Sequence, residues 1–174
     1  MASDMSENPW TEELSVLILS TNTFCQKLKQ AMTYASKKLY NKEIKLKLAE
    51  DVESICLSPQ PDTFVDYVAV VVDTTMPNGS EFCKEKLRLL EPNYLSTRIC
   101  LVNGSCSTGP LPVAKKLVKL ADEYNIPFIN GEIMDNNSCK LTGERILKMA
   151  VISTGFQTGI PVLIPTPKDL ELIS

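Results

Sequence analysis

Histidine is absent from all 174 residues of the chain. Its absence removes the side chain that most often acts as a general base near neutral pH and that most often binds zinc. Catalytic triads that need histidine, and zinc hydrolysis of the usual kind, are therefore excluded. The six cysteines contain no C-x-x-C pair. This scatter is typical of buried, reduced thiols in an intracellular protein, rather than of a disulfide framework or a zinc site.

Other features are also missing from the composition. The net charge is −3 and the isoelectric point is about 5.1, so the chain lacks the basic character of a nucleic-acid-binding domain. No apolar run approaches the roughly 18–20 residues of a membrane span. Residues 1–12 are polar and acidic, which predicts a disordered lead-in rather than a signal peptide. With 44% hydrophobic residues, the chain suits one domain, predicted at residues 13–165, with a tail at residues 166–174.

Glycine is missing from the first turn, where an α/β protein would bind phosphate. Residues 15–19 are a short run of β-formers, and residues 20–23 are a polar turn. From Phe24 onward, apolar residues recur every three or four positions, which predicts a helix closed near Tyr40. A phosphate loop needs glycines, then a lysine and a Ser or Thr. Aligned from Ser20, this chain has Cys25, Gln26 and Lys27 at the last three of those positions.

The rest of the chain alternates between strands and helices. Further strands are predicted at residues 43–48 (a sheet edge), 64–73 (the centre), 98–102 and 126–129, with 52–57 as a doubtful one. Further helices are predicted at residues 80–90, 110–124 and 142–153, the first and last capped by Ser80 and Thr142, and residues 134–140 are predicted to be a polar loop. This order predicts an α/β fold with a mostly parallel sheet, helices on both faces, and Val70 and Leu101 in the core.

This order of strands and helices resembles that of a Ras-like small GTPase, which has a P-loop NTPase-like fold. The other nucleotide-binding motifs of small GTPases can therefore be compared with this sequence. Asp73-Thr74-Thr75-Met76 keeps the aspartate of the D-x-x-G motif and lacks its glycine. Asp73 is better explained as a turn or helix-cap residue, which does not require a catalytic role. The switch segment that a small GTPase has before the strand predicted at residues 64–73 is missing. Asn103-Gly104-Ser105-Cys106 keeps only the asparagine of the guanine-reading N-K-x-D. The glycine-bearing loop at residues 103–109 contains no basic residue, which favours a plain strand-to-helix connection over an anion site.

A GTPase-like chain with every nucleotide motif eroded resembles the centromere protein M family. The pattern that carries the resemblance consists of residues 65–72, 98–101 and 118–124, then residues 145–148 followed by Gly155 and Gly159. The resemblance implies a non-catalytic pseudo-GTPase of the inner kinetochore, in the nucleus at the centromere. It also implies a protein that binds centromere protein I directly, in an assembly with centromere proteins H and K, as a single copy and without nucleotide, cofactor or metal.

Three other classes of function remain open from the sequence. A nucleotide-dependent switch could use Thr21, Thr23 and Lys27 on a phosphate, and a thiol enzyme could use Cys106 or Cys25, although no histidine is present to activate the thiol. A small-molecule binding module is the third. The structural adaptor is favoured over all of them because the motifs of a nucleotide site are eroded together.

A partner surface can be predicted from large apolar residues that belong to no strand or helix stripe. They form two groups, one before the strand at residues 98–102 and one after the last helix: Tyr94, Leu95, Ile160, Val162 and Leu163. Clustered apolar groups rimmed by polar residues mark interfaces, although each side chain could instead pack onto its own domain. We expect both groups to lie at the amino end of the sheet, away from the eroded nucleotide site.

Overall fold

The computed structural model describes residues 13–51, 65–90 and 97–156. These residues form five strands and four helices. The strands are β1 (Ser15–Leu19), β2 (Lys45–Ala49), β3 (Tyr67–Val72), β4 (Ile99–Asn103) and β5 (Phe128–Asn130). The helices are α1 (Asn22–Tyr40), α2 (Gly79–Leu89), α3 (Leu111–Tyr124) and α4 (Asn136–Thr154).

The five strands form one sheet in the order β2-β1-β3-β4-β5, and every pairing is parallel. The predicted α/β class with a parallel sheet is confirmed, as are the edge position of β2 and the central position of β3. The arrangement is consistent with a small-GTPase-like fold, and the same strand order also occurs in flavodoxin-like proteins. In either case the order reverses between β1 and β3, which is where α/β proteins bind their ligands.

Two helical layers cover the sheet, and successive residues of each strand face opposite layers. Val16 and Ile18 of β1 pack with α1 and α4, whereas Leu17 and Leu19 pack with α2 and α3. β3, at the centre of the sheet, is apolar along its whole length because both of its faces are buried. Val70 and Leu101 are fully buried on paired strands, as predicted.

Several predicted boundaries are wrong. Most of the predicted loop at residues 134–140 belongs to the start of α4, which begins at Asn136. Its cap is Asp135, whose carboxylate accepts a hydrogen bond of 2.8 Å from the Ser138 backbone N–H, so Thr142 is not the cap and lies buried inside the helix. Ser80 likewise lies within α2, which begins one residue earlier. The start of α4 gave no apolar periodicity because Asn136 and Asn137 are polar and exposed.

The helix ends agree better with the sequence. α1 ends at Tyr40, as predicted, and Asn41 follows in the left-handed conformation with φ of 50°. α4 ends before Gly155, whose φ is 69°, a conformation that glycine adopts without strain. Among the described residues, none of the helices is long and apolar enough to cross a membrane. The doubtful strand at residues 52–57 lies outside the described residues.

Candidate functional site

A cavity of about 250 Å³ opens at the carboxyl end of β1 and β3, the point where the strand order reverses. We call it the edge cavity. Its described lining residues are Ser20, Thr21, Glu50, Val71, Val72, Asp73, Met76, Asn78, Gly79 and Phe82. Two of them are acidic and none is basic. A nucleotide would place its phosphates in this position in a related α/β protein, so the lining determines whether it can do so here.

The connection between β1 and α1 is only two residues long, Ser20 and Thr21, and is shorter than the four-residue turn predicted. The Ser20 backbone N–H donates to the Ala49 carbonyl at 3.1 Å, and its hydroxyl donates to the Val71 carbonyl at 2.8 Å. Both groups that could have met a phosphate are therefore bonded within the sheet. A phosphate loop wraps a longer glycine-rich segment around its anion, and this connection has no such segment.

The amino end of α1 is already occupied by an anionic side chain. Glu50, which follows β2, accepts a hydrogen bond of 3.0 Å from the Asn22 backbone N–H through its Oε1 atom. The amino end of a helix carries a partial positive charge and unpaired N–H groups, which is why it attracts phosphate and carboxylate alike. Glu50 thus fills from within the chain a position that an external phosphate would need.

The lysines near the edge cavity are engaged elsewhere. Lys27, the residue proposed to touch phosphate, donates to the Met134 carbonyl and the Asn136 side chain at 3.4 and 3.3 Å. These contacts hold it against the start of α4, and it does not line the cavity. Lys86 of α2 is buried, forms an ion pair with Asp51, and lies 5.1 Å from the centre of the Phe82 ring. Of the three residues proposed for a nucleotide switch, only Thr21 lines the cavity.

Asp73 follows β3 and acts as a turn residue. Its Oδ1 atom accepts hydrogen bonds from the Thr75 backbone N–H at 3.0 Å, the Thr75 hydroxyl at 2.6 Å and the Ser105 hydroxyl at 2.8 Å. Burial alone would raise the pKa of Asp73, but these hydrogen bonds outweigh it and hold the pKa below its ordinary value. The carboxylate therefore stays charged, which adds to the negative character of the cavity.

Asn103, at the position of the guanine-reading asparagine, is buried and bonded within the chain. Its Oδ1 atom accepts from the Thr74 hydroxyl at 3.0 Å and from the Ser105 backbone N–H at 3.2 Å, and its amide donates to Asn130 at 3.4 Å. The loop after it is packed closely, because a Cβ added at Gly109 would lie 1.9 Å from the Thr74 Oγ1 atom. This loop is a structural connection, as the sequence favoured.

The described residues offer little for catalysis. The pKa of the Cys25 thiol is raised, mainly by burial, and a raised pKa makes a thiol a poor nucleophile. Cys106 is exposed on the loop after β4. Cys25 is buried near the start of α1, so the two candidates do not share one exposed site. Within the described ranges, no group of three or more acidic, cysteine or histidine side chains could hold a metal ion.

Comparison with known proteins identifies the family of the chain. The model of the family Centromere protein M (CENP-M) matches residues 3–166, which is nearly the whole chain. The chain belongs to the centromere protein M family. Membership in this family gives it a role at the centromere, as the sequence suggested.

The other comparisons add little to the family match. The curated proteins give no match. A solved structure, a diflavin flavoprotein A3 from Nostoc sp., is 13% identical with a TM-score of 0.41, over 79% of this chain and 90% of that chain. A likeness at this level supports no statement about function.

The predicted partner residues Tyr94, Leu95, Ile160, Val162 and Leu163 all lie outside the described residues. They therefore remain a prediction. The sequence also gave no indication of Glu50, the carboxylate that lines the edge cavity and lies at the amino end of α1. Its partner Asn22 is 28 positions away, and only the pairing of β1 with β2 brings the two together. A lone exposed glutamate after an edge strand gives no local signal of such a role.

Proposed function

We propose that the protein is a non-catalytic structural subunit of the inner kinetochore, a pseudo-GTPase that binds centromere protein I directly in an assembly with centromere proteins H and K. The observation that carries the pseudo-GTPase part is the edge cavity. Two carboxylates line it, none of its described lining residues is basic, and Glu50 already occupies the amino end of α1. A nucleoside triphosphate would meet the like charge of these two carboxylates.

Thermal melting of the purified protein tests this part. We expect the same melting temperature with and without excess GTP and Mg²⁺. A ligand that binds only the folded state at 100 times its Kd stabilises that state by about 2.7 kcal/mol, which for a chain of this size raises the melting temperature by several degrees. A reproducible rise of that size would contradict the proposal and would favour an unorthodox nucleotide switch.

Co-purification tests the partner. Family membership and the absence of a usable catalytic group in the described residues support an adaptor that presents surface to a larger protein. The apolar groups predicted above supply candidate contacts, and buried anchors at such interfaces are typically worth about 2 kcal/mol or more. We expect Leu163→Glu, or Tyr94→Ala with Leu95→Ala, to leave the melting temperature nearly unchanged and to abolish co-purification with centromere protein I.

Three outcomes of that experiment are distinct. Loss of binding by folded variants supports both the partner and the surface. Unfolding of the variants would show that these side chains belong to the core and would overturn the proposed surface. Failure of the wild-type protein to co-purify with centromere protein I, H or K would overturn the proposed partner itself.

A further inference from the structure

The two helical layers differ sharply in charge. The sequence of α1 contains four lysines and no acidic residue, and α4 contains three basic residues and one glutamate. In α2 and α3, by contrast, three basic residues in each helix are accompanied by two acidic ones. The layer formed by α1 and α4 is therefore strongly positive in a chain whose net charge is −3. Charge of one sign on one face indicates a partner of the opposite sign.

Large apolar side chains stand within this positive layer. Leu141 and Ile152 on α4 are 59% and 60% exposed, and Tyr34 on α1 is 57% exposed. On α4 the exposed residues Leu141, Arg145, Lys148 and Ile152 recur every three or four positions, so they form one stripe opposite the buried face of the helix. We call these four residues the α4 stripe. It spans about 16 Å at the rise of an α-helix.

Close packing of the two helices joins Tyr34 to the same surface. A Cβ added at Gly143 would lie 3.0 Å from the Ala31 Cβ atom, so the helices approach closely at this point. Lys38 of α1 forms an ion pair of 3.9 Å with Glu144 of α4. Tyr34 is one turn from both Ala31 and Lys38 and therefore lies on the side of α1 that faces α4.

We propose that the α4 stripe, together with Tyr34, binds an acidic amphipathic helix of a partner protein. The positive charge of the layer selects an acidic partner, and exposed apolar groups rimmed by polar ones are the mark of a protein interface. A helix laid along α4 would place its own apolar residues against Leu141 and Ile152, as paired amphipathic helices do. Nucleic acid fits less well, because phosphates are bound by lysine and arginine and gain nothing from leucine or isoleucine.

This inference rests on the proposed function only in treating the protein as a module that binds other proteins. It does not depend on which subunit is the partner, so it is tested with a defined probe. The probe is a fluorescent synthetic helix of about 20 residues, matched in length to α4, with leucine on one face and glutamate elsewhere. A reference peptide has the same composition in scrambled order. We expect the full-length protein to bind the probe roughly tenfold more tightly than the reference, and less tightly as salt is raised.

Paired variants locate the binding. Leu141→Ser with Ile152→Ser should weaken binding of the probe by about tenfold, since two exposed anchors are lost. Arg145→Glu with Lys148→Glu should weaken it similarly and reduce its dependence on salt. Matched controls come from α3, where Leu111 and Val118 are 65% and 41% exposed. Leu111→Ser with Val118→Ser, and Lys115→Glu with Lys119→Glu, should leave binding unchanged, and all variants should melt like the wild type because these side chains are exposed.

Equal binding of the probe and the scrambled reference would overturn the proposal, and so would equal losses in the α3 controls. A DNA duplex serves as the competing ligand. If the duplex binds more tightly than the probe, and only the charge variants weaken it, the layer binds nucleic acid and the proposal is wrong. Failure of the wild-type protein to co-purify with centromere protein I would contradict the proposed function alone and would leave the result with the probe standing.

Discussion

Two connections at the carboxyl edge of the sheet differ in why they do not form a phosphate-binding loop. The β1–α1 turn is two residues long, contains no glycine, and borders an open cavity whose helix end is occupied by Glu50. The β4–α3 loop is longer and packs against Thr74 of the neighbouring β3–α2 connection, whose side chain is buried against Asn103 at the end of β4. The first connection is too short to enclose an anion, whereas the second has no room for one. The first should therefore tolerate substitution, and the second should not.

The largest expected effect is in the β4–α3 loop, at Gly109. A Cβ at this position would lie 1.9 Å from the Thr74 Oγ1 atom and 2.9 Å from the Ser105 carbonyl oxygen. The Thr74 hydroxyl is held by hydrogen bonds to Asn103 and Ser105, and a backbone oxygen cannot rotate away. We expect Gly109→Ala to lower the free energy of unfolding by about 2–3 kcal/mol, as overpacking does elsewhere, measured by urea denaturation.

The matched control for Gly109→Ala lies in the other connection. Thr21→Ala removes a side chain that makes no capping hydrogen bond to α1, so it should change stability by less than about 0.5 kcal/mol. If the two variants lower the free energy of unfolding equally, the two connections do not differ in their tolerance of substitution. A large cost for Thr21→Ala alone would reverse the expected difference.

The next effect concerns Asp73, which joins the edge cavity to the β4–α3 loop. Its folded-state pKa lies below the ordinary value, so its charged form contributes stability above that value of about 3.9, and the contribution is lost as pH falls through the lower folded-state pKa. Asp73→Asn weakens three hydrogen bonds to a charged acceptor and should cost about 1 kcal/mol at pH 7.

Urea denaturation of both proteins at several pH values measures this effect of Asp73. The difference between wild type and Asp73→Asn should shrink between pH 5 and pH 3, because the Asp73 carboxyl of the unfolded wild-type chain takes up its proton before that of the folded protein does. A difference that stays constant down to pH 3 would show that the charge of Asp73 does not matter and that only its shape does.

The sequence predicted the parts of this edge that depend on local patterns. The run of β-formers in β3 and the apolar spacing of α1 gave the strand and helix, and the turn role of Asp73 followed from its neighbours. The start of α4 was missed because Asp135 and the polar residues after it face solvent and show no apolar period. The family could be recognised from the spacing of apolar and glycine residues, although none of those positions is catalytic.

The character of the edge cavity could not be predicted, because it depends on contacts between distant residues. Glu50 can accept a hydrogen bond from Asn22 only when β2 is paired with β1. Lys27 donates a hydrogen bond to Asn136, which is more than 100 positions away in the sequence. Sequence motifs show which nucleotide-binding groups are missing. They do not show which side chains of the chain have taken those positions, since that requires the packed fold.

The smallest expected effect is at Glu50. A carboxylate at the amino end of a helix contributes about 0.3–1 kcal/mol when exposed, and salt screens it. We expect Glu50→Gln to lower the free energy of unfolding by that amount at low salt, with the difference disappearing in 1 M salt. Glu43→Gln is the matched control, because Glu43 is an exposed carboxylate paired with Lys37 and is not at the start of a helix. It should have no measurable effect.

The same Glu50 variant tests what would keep a nucleotide away from the β1–α1 turn under the proposed function. If the cause is the two-residue length of the turn and the lack of a basic residue among the described lining residues, Glu50→Gln should still melt at the same temperature with and without GTP and Mg²⁺. If Glu50 alone blocks the site, the variant should be stabilised by the nucleotide while the wild type is not. We expect the first result, because removing one carboxylate from the helix end supplies neither the glycines nor the lysine that hold a phosphate.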